Sequence, residues 1–256
     1  MAEKVKYGNW IRKKVLWILG LSSLGMGILG TLPFPPIIRI ILVICSIALF
    51  ISFLYPLYLY YAFSHHGGDL QDKVYDLIVE KLTKDVKGAA LDIGTGNGIL
   101  AIKLAQRYPE VRVVGMDYWG KNWEYSKSVC KENARHLKVA ERVSFLKGDA
   151  SSLDLPEGSF EAVVSNLTFH EVKSVLQKRE LVTEALRVLK PGGKFAFVDY
   201  FFEKKYFGET SEFQTFLQNL ELSKMDFKPL GEVLEFQKIL RHPKALGKVG
   251  IIYGVK

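Results

Sequence analysis

Apolar and polar residues follow two different patterns along this chain. From Val15 to Phe34, "VLWILGLSSLGMGILGTLPF", no charge occurs in 20 positions, and from Ile40 to Phe63 none occurs in 24. At about 1.5 Å per residue, a 20-residue helix spans about 30 Å, roughly the hydrocarbon thickness of a bilayer. The pattern therefore predicts two membrane-spanning helices, over about 15–34 and 40–63, broken by "PFPP" at 33–36. A signal peptide would be shorter and would not be followed at once by a second apolar run. A helical hairpin buried in a soluble core is the other alternative, disfavoured by the length of both runs. Gly20, Ser23, Gly27 and Gly30 would let the two helices approach closely. The tyrosines of "YPLYLYYAF" suit the bilayer–water interface, and Arg39 can extend its head to the surface.

After "SHHGGD" at 64–69 the pattern changes to an alternation of short strands and helices. Leu70, Val74, Leu77, Ile78 and Leu82 have helical spacing, with Asp69 as a candidate cap. Strand-like "AALDI", "VRVVGMD", "RVSFLKGD", "FEAVVSN" and "KFAFVDYF" alternate with helix-like "GILAIKLAQRYP", "WEYSKSVCKENARHLK" and "KRELVTEALRVLKPGG". This rhythm predicts an α/β fold with a doubly wound parallel sheet. After a helix over "SEFQTFLQNLELSKM", the stretches "FKPLGEVLEFQKIL" and "KVGIIYGVK" follow with a short connection, which predicts an antiparallel pair at one edge. Two parts result: a membrane hairpin over 1–63 and an αβ body over 64–256.

Charge refines this picture. The net charge is +8. Six basic residues against Glu3 alone put +5 of it in the first 63 residues, leaving +3 on the body. Lys4, Lys6, Arg12, Lys13 and Lys14 precede the first span, which predicts a cytoplasmic N-terminus and, after two passes, a cytoplasmic body. A body so weakly basic, without an aromatic–basic strip, is not expected to bind nucleic acid. Cys45 and Cys130 stand far apart, and no cysteine–histidine cluster suggests a metal site.

The candidate chemistry centres on "ALDIGTGNGIL", 90–100. A glycine-rich turn at the carboxyl end of a strand lets a ligand approach the backbone. The spacing is GxGxG rather than the GxGxxG of dinucleotide sites. Asp92 beside it suits a ligand with an ammonium group better than one with a pyrophosphate, because like charges repel. Asp117, ending "VVGMD", is also where a dehydrogenase would want an acid, so it does not discriminate. The run "LDIGTGNG", then "VVGMD", "LKGDASSL", "FEAVVSNLTFHEV" and "RVLKPGGKFAFVD", in that order, resembles the class I S-adenosylmethionine-dependent methyltransferases over about residues 70–256.

That resemblance implies S-adenosylmethionine as cofactor and the strand order 3-2-1-4-5-7-6 with the last strand antiparallel. By position, Gly94 and Gly96 would face the methionyl part, Asp92 its ammonium side, and Thr95 and Gly98 would complete the loop. Asp117 would take the ribose, Tyr118 would pack on the adenine, and Asp149 would bond its amino group, with Ala150 beside it in the cofactor site. Asn166 would contact the methionyl group. His170 is the candidate base for an acceptor that must lose a proton, its alternative being a capping or packing role. Trp119 and Trp123 would either line an acceptor pocket or pack in the core. His65 and His66 would form a polar hinge or a lid. A membrane hairpin would concentrate the enzyme where apolar compounds dissolve, so the expected acceptor is a small apolar or membrane-soluble molecule. A protein or nucleic-acid substrate, or a non-catalytic adaptor, are the alternatives.

Overall fold

The apolar strands form a single seven-stranded sheet. The computed structural model describes residues 5–83, 85–120, 124–243 and 245–256; Trp123 lies outside them. The strands are β1 (Gly88–Ile93), β2 (Val111–Asp117), β3 (Val143–Lys147), β4 (Phe160–Asn166), β5 (Leu189–Asp199), β6 (Lys224–Pro229) and β7 (Gly250–Val255). Their order is β3-β2-β1-β4-β5-β7-β6. β1 to β5 pair in parallel, and β7 runs antiparallel to both β5 and β6. The seven-stranded order and the antiparallel edge thus stand as the sequence implied.

The helices are α1 (Lys13–Leu29), α2 (Pro36–Phe63), α3 (Leu70–Lys81), α4 (Ile99–Arg107), α5 (Lys127–His136), α6 (Arg179–Arg187), α7 (Lys204–Phe207), α8 (Thr210–Gln218) and α9 (Leu230–Val233). The central strands are apolar on both faces because helices cover both. Leu91, Ile93, Val163, Phe195 and Phe197 are fully buried, as are Phe201, Phe207 and Phe213 beyond β5. Each such side chain contributes roughly 1.5–3 kcal/mol on burial. Phe169 joins this core with its ring 5.5 Å from that of Phe197. It thereby anchors the turn after β4, where His170 sits.

Two expectations need correction. The stretch "FKPLGEVLEFQKIL" is not a strand throughout. β6 begins earlier, at Lys224, and ends at Pro229, which has no N–H to continue the ladder. α9 and a 3-10 turn over Lys238–Arg241 then occupy a long connection to β7. The helix of the first apolar run stops at Leu29 rather than 34, with Gly30 as its C-cap residue and Pro33 close behind.

By contacts, the chain divides into two units. One holds the described residues up to Gly8 with Lys73–Lys256, the other Asn9–Asp72. In the second unit α1 and α2 form an antiparallel hairpin. Ser23 Oγ donates to Ser46 O at 2.9 Å, and Ser46 Oγ donates to Ser23 O at 2.7 Å. Gly20 lies against Phe53, Gly27 against Ser46 and Gly30 against Val43, so the small residues serve close helix packing. Of the described helices, α2 alone has the length and apolarity to cross a bilayer, with 28 residues. Beyond α2, Gly67 N donates to Ser64 O and Gly68 N to Tyr61 O. A Cβ on Gly68 would fall 2.6 Å from Ala62 O. The glycines of "HHGGD" are therefore needed for close approach to the end of α2. His65 Nδ1 is 2.5 Å from Asp72 Oδ2 in the first turn of α3. The pair is fastened to its own unit.

In the first unit, residues 5–8 lie across the glycine turn. Lys6 N donates to Asn133 Oδ1 (2.9 Å), and Asn133 Nδ2 donates to Lys6 O (3.0 Å) and to Asn97 O (3.0 Å). Asn97 Nδ2 also donates to Lys6 O at 3.1 Å. Asn133 is fully buried. Asn133→Ala is expected to cost about 2–4 kcal/mol, since it strands several buried polar groups. Urea unfolding checks this; a loss below about 0.5 kcal/mol would mean that water replaces the side chain.

Candidate active site

The turn after β1 is built from three glycines in left-handed conformation: Gly94 (φ 76°), Gly96 (φ 56°) and Gly98 (φ 81°). Gly94 N and Thr95 N both donate to Met116 O, at 2.7 and 3.0 Å, tying the turn to β2. Gly98 sits at the N-cap of α4. Thr168, from the loop after β4, fills the space that a Cβ at Gly94 would need. Its Oγ1 donates to Ile93 O at 3.1 Å.

Two carboxylates brace this turn. Asp92 is buried, and its Oδ2 accepts from Thr95 Oγ1 (2.6 Å) and Ala101 N (3.1 Å). Burial pushes its carboxyl up to about 7. The two hydrogen bonds pull the other way, and the charge of Asp117 adds to the rise. Asp117 Oδ2 accepts from Gly96 N at 2.8 Å, and Oδ1 from Trp119 N at 2.7 Å. Its carboxyl is also raised by burial, against these backbone bonds. The Gly96 carbonyl accepts from Trp119 Nε1 (2.9 Å) and Cys130 Sγ (3.1 Å). Burial pushes the Cys130 thiol up to about 12, so it is a packed donor rather than a nucleophile. Trp119 thus forms a wall of the glycine turn.

Asp92, Gly94, Thr95, Gly96, Gly98 and Asp117 are therefore one bonded cluster. Tyr118 follows it, 63% exposed, with the Lys147 ammonium 5.3 Å from its ring centroid. Asp149 is reached from β3, whose Lys147 pairs with Asp117. Asp149 Oδ1 accepts from Ser151 N (2.9 Å) and Ser151 Oγ (2.7 Å). These bonds, with Ser174 Oγ, hold its carboxyl below the ordinary range. Ala150 is half-buried beside it. Asn166, at the end of β4, is buried, and its Oδ1 lacks a protein partner, as does Asn97 Oδ1. Buried acceptors without donors mark a place where a donor-bearing ligand fits.

His170 lies in a 3-10 turn, Phe169–Glu171, two residues beyond Thr168. Its Nδ1 is 2.7 Å from Asp199 Oδ1. Asp199 ends β5, is fully buried, and also accepts from Phe169 N (2.8 Å) and Tyr200 N (2.7 Å). A carboxylate accepts only, so Nδ1 is the donor and Nε2 the accepting atom. Burial alone would lower the His170 pKa; the charge and hydrogen bond of Asp199, with Glu171, outweigh it and hold it above the ordinary value. The ring is flanked by Tyr200 (centroids 4.8 Å apart) and Tyr206 (5.5 Å).

Sequence reasoning missed Asp199, Tyr200, Tyr206 and Thr168. Asp199 had a usable signal, because it ends a predicted parallel strand, where functional side chains collect. Tyr206 had none, since only the path of the chain after β5 brings it to His170.

Residues 91–197 match a family described as a methyltransferase domain. The demethylmenaquinone methyltransferase of Thermus thermophilus is 33% identical over 136 residues, which are 52% of this chain and 56% of that protein. The sterol 24-C-methyltransferase of Eremothecium gossypii is 32% identical over 133 residues, 52% of this chain and 33% of that protein. The chain thus spans about half or less of these curated relatives. Among solved structures, phosphoethanolamine N-methyltransferase 2 of Haemonchus contortus with bound S-adenosyl-L-methionine aligns with a TM-score of 0.54 at 18% identity, over 72% of this chain and 52% of that one. Geranyl diphosphate C-methyltransferase of Streptomyces coelicolor aligns with a TM-score of 0.53 at 15% identity, over 73% of this chain and 78% of that one. These structural likenesses concern the fold. Residues 91–197 are thus similar to a methyltransferase domain, and the seven-stranded α/β fold is shared with these solved methyltransferases.

Proposed function

We propose that this chain transfers a methyl group from S-adenosylmethionine to a small apolar acceptor, and that α1 and α2 hold it in a membrane as a two-pass hairpin with both ends cytoplasmic. The observation that carries the reading is the glycine turn braced by the buried Asp92 and the half-buried Asp117. The cofactor's ammonium and ribose hydroxyls are donors, and Asp92, Asp117 and Asn166 Oδ1 are acceptors that the protein leaves partly or wholly unmatched. Asp92 and Asn166 would take the methionyl end. Asp117 would take the ribose hydroxyls, and Tyr118 with Asp149 and Ala150 would border the adenine.

Bound there, the sulfonium supplies an electrophilic methyl group. The protein's part is alignment and proton handling. The glycine turn fixes the donor side, and alignment of this kind accounts for several kcal/mol of barrier lowering. His170 receives a proton from an acceptor that carries one. Relatives named for demethylmenaquinone and for sterols support a lipophilic acceptor. The outer faces of α1 and α2, uncharged over 15–29 and 40–63, with Trp17, Ile18, Leu21, Ile40, Ile44 and Ile47 exposed, support a lipid environment.

The test uses full-length protein in vesicles with methyl-labelled S-adenosylmethionine and an extract of the producing cells. Label is expected in the lipid-soluble fraction. Label in protein or nucleic acid instead would overturn the acceptor class. No label, together with no rise in melting temperature on adding the cofactor, would overturn the methyltransferase reading.

A further inference from the structure

His170 presents an unusual combination on the C-terminal face of the sheet. It is an imidazole whose second nitrogen is held by a buried carboxylate, with two neighbouring tyrosine rings packed against it. Asp199 is over-determined: two backbone N–H groups and the imidazole converge on it. A carboxylate so anchored cannot turn away, so the ring is held with Nε2 as its accepting atom. The side chain is 12% exposed. Tyr200 meets its ring edge-on and Tyr206 meets it tilted, with 6.4 Å between the two tyrosine centroids.

We infer that Asp199 is a positioning residue for His170, and that the dyad accepts the proton of a phenolic hydroxyl on a ring seated against Tyr200 and Tyr206. The inference rests on the methyltransferase reading and names its acceptor class. The chemistry discriminates among nucleophiles. A carboxylate acceptor has no proton to give, and Asp199 and Glu171 would repel it. An alkyl alcohol is a much weaker acid than a phenol, so its oxygen gains less nucleophilicity from the same base. A phenol, with a pKa near 10 as in tyrosine, lies within a few units of a raised histidine, where general-base transfer is effective. Its ring also matches the tyrosines by edge and offset contacts.

In the step, an oxygen lone pair forms the bond to the methyl carbon, and the carbon–sulfur pair stays on sulfur. The hydroxyl proton goes to His170 Nε2. The imidazolium so formed is stabilised by Asp199 through Nδ1–H and returns the proton to water. The charged and titratable groups around the ring are Asp199 from the end of β5, Glu171 on the same turn, Tyr200, Tyr206 from α7 and the Lys178 ammonium ahead of α6. Lys178 Nζ donates to Val172 O and Val175 O, which fixes the loop that follows the dyad.

The test uses full-length protein in detergent with S-adenosylmethionine and three probes of one chain length: 4-decylphenol, decylamine and decanoic acid. The aryl methyl ether of 4-decylphenol is the expected product, at kcat/KM about 100-fold or more above the other probes. Its kcat is expected to rise with pH through a limb above pH 6.5, the ordinary histidine value. His170→Ala should lower kcat about 100-fold or more with KM little changed. Asp199→Asn should lower kcat and move the limb to lower pH, and Asp199→Glu should restore part of both. The melting temperature and its rise with cofactor, measured on each variant, identify a variant that has failed to fold; His170→Ala then carries the test. Preference for the amine or the acid, or turnover of no probe while the cofactor still raises the melting temperature, overturns the phenol assignment and leaves the methyltransferase reading intact. An unmoved limb in a folded Asp199→Asn overturns the positioning role. Absence of any cofactor-dependent shift overturns the underlying reading instead.

Discussion

Gly94→Ala is expected to destabilise the αβ unit by about 2–5 kcal/mol and to abolish the rise in melting temperature on adding S-adenosylmethionine. Two costs act together. The backbone at Gly94 has φ 76°, and an L-residue in that region costs about 1–2 kcal/mol. The added Cβ would also enter the Thr168 side chain, 2.6 Å from its Cβ and closer still to Oγ1 and Cγ2. Overpacking of this kind costs typically 1–3 kcal/mol. For a chain of this size each kcal/mol lowers the melting temperature by about 2–4 °C, so a fall on the order of 10 °C follows. Gly96→Ala provides the control. There the φ is 56°, but the nearest atom to a Cβ is Tyr125 Cδ2 at 3.5 Å, ordinary contact. It should lose only about 1–2 kcal/mol. Thr168→Ala in the Gly94→Ala background should recover only the part of the packing cost due to Oγ1 and Cγ2, because its Cβ stays 2.6 Å from the added one, and none of the backbone part. A Gly94→Ala protein that melts like the parent would mean that the turn is not held as described.

This glycine shows why some of the structure was legible in the sequence. "LDIGTGNG" requires tight left-handed turns wherever it sits, because no other residue tolerates three positive φ values so closely spaced. The alternation of strands and helices predicted the doubly wound parallel sheet, and the strand order came from the resemblance that the ordered motifs carry. Asp92 and Asp117 were picked by place, at the ends of two strands, and they are bonded into one turn with Gly96 and Thr95. Local chemistry and topology agree there, and such agreement is what makes a sequence readable.

The rest required distances. Asp199 reaches His170 across 29 residues, and no periodicity encodes that pairing. The edge of the sheet misled because "LGEVLEFQKIL" alternates well enough for a strand. Pro229 ends the ladder first, and Leu230 N instead bonds to Val249 O, at 3.0 Å. "HHGGD" was undecided for a different reason. The sequence left it between a hinge and a lid, whereas each of its glycines is required by backbone close to it, which is confinement. The segment before α1 carried charge as its only legible feature. Its main-chain bonds to Asn133 depend on a fully buried asparagine in α5, a residue type that gives no sign from sequence of what it will meet.

Asp92→Asn is expected to stabilise the cofactor-free protein at pH 8 and to weaken its cofactor binding, two effects of one buried charge. Asp92 has its folded pKa raised to about 7, against roughly 3.9 unfolded. A raised acid binds its proton more tightly when folded, so its contribution to stability is greatest below the unfolded value. That contribution falls as pH climbs towards 7, and then levels off. Asparagine resembles the protonated acid and can still accept from Thr95 Oγ1 and Ala101 N. Below about pH 4, where both forms of the wild type keep the proton, the two proteins should therefore be alike, and the difference should open as pH rises from there towards 7. At pH 8 the variant should be more stable by on the order of 1–3 kcal/mol, which discounts the full shift for relaxation around the charge. Cofactor binding inverts the balance. An ammonium placed at Asp92 favours the ionised form, so binding near pH 6 must release a proton. The wild-type dissociation constant should then fall between pH 6 and 8, while that of the variant stays flat and at least about 10-fold weaker at pH 8. Calorimetry in two buffers of different ionisation enthalpy measures the proton directly. A wild-type affinity that is flat across this range, with no proton released, would place the cofactor's ammonium elsewhere and leave Asp92 as a brace for the glycine turn alone.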